Sequence, residues 1–159
     1  MNTINIGISD QHRIAVCEHL NKLLADEYIL YTQTLNYHWN VVDPYFDAMH
    51  AFFKKQYEEL FELVDDIAER VRSLGEFALG TLANFATHAH IQEKPQQKLK
   101  TEDMIKNLLD NHEAIIRHIR KDIVIIQEQL GDEGTANFLT DKMEKHEKMA
   151  WMLRSCLQK

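Results

Sequence analysis

Turn-forming residues are scarce: the 159-residue chain has five glycines and two prolines. A sandwich or barrel of many short strands needs far more of them, so an all-β fold is excluded. Cysteine is rarer still. Cys17 and Cys156 sit near opposite ends in no metal-binding spacing and read as free thiols of a reducing compartment. The longest aliphatic run, Ile123 to Ile126, is far too short to span a bilayer. The first ten residues carry neither the basic stretch nor the apolar segment of an export signal. The expectation is a cytoplasmic protein with no membrane partner. Positive charge is also short: 18 Lys and Arg against 25 Asp and Glu leave a net charge of −7. That argues against a general nucleic-acid binder, whose phosphate contacts need clustered cations.

What the chain does have is Leu, Ile, Ala, Glu, Lys and Gln, which favour helix. At 45% apolar and 27% charged residues it suits one domain over 1–159, with a short tail at 1–9. Apolar positions Ile14, Cys17, Leu20, Leu24, Tyr28, Tyr31 and Leu35 recur at helical steps from Ser9 or Asp10 to about Trp39. A second helix is expected from Asp43-Pro44 to Gly75, a third from Thr101 to Gly131, and a fourth from about Asp132 to Thr135 onward. The crossover at 75–100 is too long for a helical hairpin and holds a short amphipathic piece, Glu76 to Phe85. This all-α layout is similar to a ferritin-like four-helix bundle, with a long crossover containing a short helix between helices two and three.

On helix two, Phe46, Met49, Phe53, Tyr57, Leu60, Val64, Ile67 and Val71 form an apolar stripe at 100° per residue. A separate face carries His50, Asp47, Lys54, Glu58, Glu62, Asp65 and Glu69, and His38 lies just upstream. Histidines with carboxylates are a ligand set for iron and similar divalent metals. His50 and Asp65 are fifteen residues apart, about 22 Å along one helix, so they cannot hold one ion within a single chain. Two antiparallel copies of the helix, crossing near Tyr57 or Glu58, would bring them together about a two-fold axis. A di-iron centre inside the bundle needs Glu-x-x-His motifs, and no Glu here has a His three residues later. His88, His90, His112, His118 and His146 are expected to be surface or hydrogen-bonded residues.

Tyr37-His38-Trp39-Asn40-Val41, Met49-His50 and Asp65-Asp66-Ile67-Ala68-Glu69-Arg70-Val71-Arg72-Ser73-Leu74-Gly75 together resemble the Dps family, the miniferritins or starvation-induced DNA-protection proteins. Gly131-Asp132, Thr135-Ala136, Glu147-Lys148 and Trp151-Met152-Leu153 extend the likeness toward the C-terminus. The resemblance implies a dodecameric homo-oligomeric shell built from two-fold dimers. It would oxidise Fe(II) with hydrogen peroxide, store Fe(III) mineral and protect the cell from oxidative damage. It also implies iron ligands His38 and His50 from one subunit and Asp65 and Glu69 from the other, with Trp39 beside the site.

Lys54 departs from the family pattern, which usually has a carboxylate four residues after the second histidine. A protonated amine offers no lone pair and repels a cation. Three consequences are open: a weakened, single-metal centre; a salt bridge of Lys54 to Asp65, Glu58 or Glu69; or replacement of the missing ligand by Asp47. The resemblance further suggests pore-lining residues near the last helix, here Glu128, Asp132, Glu133, Asn137 and Asp141. Glu58 and Glu62 are candidates for mineral nucleation. Two alternative functions are a cage with an impaired ferroxidase centre and a DNA-compacting nucleoid protein. The latter commonly uses a Lys-rich tail; here the first ten residues have no Lys or Arg, and only Lys159 is expected beyond the last helix.

Overall fold

A computed structural model describes residues 4–95 and 97–157. Lys159 and the first three residues of the tail lie outside them. The described residues are helical, with no strand. α1 (Asp10–Asn40) begins at Ser9, whose hydroxyl accepts the His12 N–H and so satisfies one of the free donors of the first turn. α2 (Phe46–Ser73) starts two residues later than Asp43-Pro44 predicts. The Asp43 carboxylate accepts the Tyr45 N–H at 2.8 Å, closing a turn in front of the helix instead of capping it at proline. Gly75, at φ +98°, ends this helix in the left-handed region.

The crossover contains α3 (Leu82–His88), displaced from the expected Glu76–Phe85. Thr81 decides the start, because its hydroxyl accepts the Asn84 N–H, and Phe85 then stacks on Tyr28 of α1 at 4.4 Å. Asp26, fully buried, accepts hydrogen bonds from the backbone N–H groups of His90 and Ile91 and so ties the crossover to α1. α4 (Thr101–Val124) does not run as a plain α-helix to Gly131. It loosens into one π turn, Ile125–Gln129, before α5 (Glu133–Leu157).

The four long helices enclose a core in which Phe53, Leu20, Leu24, Leu30, Leu60, Leu63, Ile67, Leu108, Ile115, Ile119 and Ile126 are all but sealed from solvent. Half of the stripe on α2 (Phe53, Leu60, Ile67 and Val71) is buried and Met49, Tyr57 and Val64 are half-buried, but Phe46 at its start is exposed, as are Ile14 of α1 and Trp151 of α5. Both cysteines are free thiols, Cys17 buried and Cys156 exposed. Among the described residues no helix is long and apolar enough to cross a membrane.

Candidate metal centre

The turn between α1 and α2 brings His38 and His50 face to face, ring centroids 3.8 Å apart and planes 24° from parallel. His38 Nδ1 lies 2.8 Å from the His50 carbonyl oxygen, and His50 Nδ1 lies 2.9 Å from the His38 carbonyl oxygen. A carbonyl only accepts, so each Nδ1 carries the proton. In the neutral rings both Nε2 atoms are then left with their lone pairs. Such a carbonyl clamp fixes tautomer and orientation in metal-binding histidines. Phe46 stacks on His50 from one side at 5.0 Å, and Tyr57 meets His38 edge-on at 5.2 Å. His38 is buried, whereas Trp39 beside it is 66% exposed.

Asp65 and Glu69 stand exposed four or five turns further along α2. Their basic neighbours are already engaged elsewhere. Lys142 of α5, itself buried, pairs with Asp66, and Arg70 donates to Thr135 Oγ1 at 2.8 Å and pairs with Asp132 at 3.4 Å. Asp65 and Glu69 make no ion pair among the described residues. The structure thus joins His38 to His50 but does not bring Asp65 or Glu69 to them. No three His, Cys, Asp or Glu side chains among the described residues could hold one ion.

Lys54 lies one turn after His50, with its ammonium 3.6 Å from Glu58, i to i+4 on the same helix. Within the chain it pairs with neither Asp65 nor Glu69. Both partners are more than half exposed, so the pair is weak and easily broken. Asp47 is exposed one turn before His50.

Of the residues near the start of α5, Glu128, Glu133, Asn137 and Asp141 are exposed. Asp132 is buried and serves as the helix cap, accepting the Thr135 N–H at 2.8 Å while facing Arg70. Burial pushes the Asp141 carboxyl up, but Lys142 and Lys145 outweigh that effect and hold it below its ordinary value.

A second polar cluster escaped the sequence reading. Glu27 of α1, His112 of α4 and His146 of α5 are fully buried in the bundle. His146 Nε2 lies 2.6 Å from Glu27 Oε1, and the Nδ1 atoms of the two histidines are 2.9 Å apart. Glu27 Oε2 and His112 Nε2 find no partner among the described residues. Burial, then the nearby His146, holds the His112 pKa well below its ordinary value. The available signal was position: Glu27 falls four residues after Leu23 and three before Leu30, on the apolar face of α1.

A Ferritin-like domain family matches residues 17–159. The chain is 42% identical over 158 residues to a low temperature-induced protein of Nostoc sp., spanning 99% of this chain and 88% of that relative. It is 33% identical over 142 residues to DNA protection during starvation protein 2 of Bacillus anthracis, spanning 89% and 96%. DpsC from Streptomyces coelicolor superposes with a TM-score of 0.95 at 30% identity, over 99% of this chain and 92% of its own. A Dps protein from Vibrio cholerae O1, described as one of the ferritin-like diiron-carboxylate proteins, gives 0.91 at 28% over 99% and 98%. Sequence and fold agree over nearly the whole length, and the chain belongs to the Dps family of ferritin-like proteins.

Proposed function

We propose that this protein is a miniferritin that oxidises Fe(II) with hydrogen peroxide and keeps the Fe(III) product inside a twelve-subunit shell. Family membership supports iron storage and oxidative protection in general. The observation that carries the finer reading is the reciprocal clamp of His38 and His50. It gives each Nδ1 a carbonyl acceptor, so that in the neutral ring, the form that binds a metal, Nε2 is the atom left with a lone pair. The exposed, unpaired Asp65 and Glu69 supply the complementary half. An antiparallel two-fold contact along α2 would bring them opposite the histidines of another copy, giving two equivalent sites per pair.

In such a site the histidines orient the Fe(II) substrate, and the carboxylates favour the higher charge of Fe(III). Lys54 works against this. Its charge stands where the resemblance calls for a carboxylate, and Glu58 only partly offsets it. Weakened binding of a second ion is therefore the expected consequence. Glu128, Glu133, Asn137 and Asp141 remain pore candidates, while Asp132 is committed to capping α5.

Stopped-flow oxidation of Fe(II) by peroxide tests this reading. Wild type should oxidise iron faster than protein-free solution, and replacing both His38 and His50 by Ala should abolish the acceleration while the shell still assembles. An unchanged rate in the double variant would contradict the assignment.

A further inference from the structure

Asp26 of α1 is fully buried, yet its carboxylate is given over to the crossover. One oxygen accepts the backbone N–H groups of His90 and Ile91 at 2.6 and 3.0 Å. The other lies 2.9 Å from His90 Nδ1. The two backbone donors would anchor the crossover with any side chain at position 90, so the imidazole does something more. A carboxylate only accepts, so His90 Nδ1 carries the proton, and in the neutral ring Nε2 is the atom with a lone pair. A carboxylate behind a histidine fixes tautomer and orientation in metal-binding imidazoles. The His90 ring lies against half-buried His118 of α4, centroids 4.1 Å apart and planes 17° from parallel. Burial, then the His90 ring, holds the His118 pKa below its ordinary value despite Asp26 and Asp122 nearby. His118 is therefore uncharged at neutral pH, the form that ligates.

We propose that His90 and His118 together bind a divalent transition metal such as Zn(II), fastening the crossover onto α4. Imidazole nitrogen suits zinc, copper and nickel, whereas magnesium and calcium take oxygen ligands. Both rings reach one ion when the stack opens into a splay. His90 has room for that movement, because its side chain is about a third exposed. Structural zinc sites close around the ion with four protein ligands. Two imidazoles leave the other positions to water, so this ion exchanges with solvent. The pair lies on the crossover and α4, takes no ligand from His38 or His50, and stands independently of the ferroxidase reading.

The test titrates zinc sulfate into the assembled protein by isothermal calorimetry and locates zinc in soaked crystals by anomalous scattering. Wild type should bind one more zinc per subunit than His90→Ala or His118→Ala, and the map should show an ion between the two rings. His118→Gln keeps a polar side chain in the seam and should lose the same equivalent, which separates lost ligation from lost folding. His19→Ala is the control: its ring is held by Asp122 at 2.9 Å, and the zinc count should not change. Saturating zinc should raise the Tm of wild type more than that of either variant. Equal zinc counts in wild type and the His90 and His118 variants would overturn the site, as would a map with no ion between the rings. Loss of the same equivalent in His19→Ala would overturn the two-histidine assignment. Binding no tighter than that of zinc to free imidazole would mean an adventitious ion only, and would overturn it too.

Discussion

Two adjacent carbonyl groups decide what His38 and His50 can do. Each imidazole donates its Nδ1 proton to the other's backbone carbonyl, so in the neutral ring Nε2 is the atom that can accept or ligate. The sequence singles out both histidines by their company of carboxylates, and the fold brings the two rings together. The clamp was not legible there, because it depends on how a short turn folds α2 back onto α1. Lys54 is the other decisive residue at this scale, and here the local partner is Glu58, one of the three possibilities weighed from the sequence. Lys54→Asp should raise the Fe(II) oxidation rate about ten-fold, or ~1.4 kcal/mol of barrier, measured by stopped flow. Equal rates in the two proteins would remove Lys54 as an impediment. Gly75 is constrained in a different way: at φ +98° a side chain is strained, and a Cβ there would collide with Ile4 Cδ1. Gly75→Ala should lower stability by about 1–2 kcal/mol in urea unfolding.

At the level of elements, α1, α2, α4 and α5 were readable because their apolar positions follow the helical period, and α1 and α5 also start at recognisable caps, Ser9 and Asp132. The departures have local causes. Asp43 spends its carboxylate on the Tyr45 N–H, Thr81 rather than Glu76 starts α3, and α4 ends in a π turn that periodicity does not announce. Glu27, His112 and His146 stayed hidden because each belongs to a different helix, and only packing reveals that they meet. Their burial makes the bundle sensitive to acid. His112 has a folded pKa well below its ordinary value, while the unfolded chain returns it to about 6.5. Below that pH the unfolded chain takes up a proton that the folded one resists, so stability is lost as pH falls from about 6.5 toward the folded value. Glu27 and His146 are the ionisable groups it faces across the core. Thermal unfolding of His112→Gln, followed against pH, should show a flatter acid limb than wild type. Parallel curves would contradict this contribution.

The single chain leaves large apolar side chains on its surface: Trp39, Val42, Tyr45, Phe46, Phe61, Phe77, Leu82 and Trp151 are all exposed. Isolated cases need no explanation, but this number on one small helical chain fits a subunit whose surface is covered by copies of itself. Light scattering on the purified protein should report a dodecamer at neutral pH, and a monomer would contradict the shell. The same scale bears on nucleic acid. With seven excess negative charges per subunit and a tail poor in Lys and Arg, the assembled protein should not shift duplex DNA in a low-salt gel. The central claim, a centre shared by two subunits, was suggested in the sequence by the fifteen residues separating His50 from Asp65, and the continuous α2 keeps them apart in the folded chain. An anomalous-scattering map of iron-soaked crystals tests it most directly. The account predicts iron bound by Nε2 of His38 and His50, with Asp65 and Glu69 of the partner subunit completing the site. Iron absent from that position, while present elsewhere in the same crystals, would contradict it.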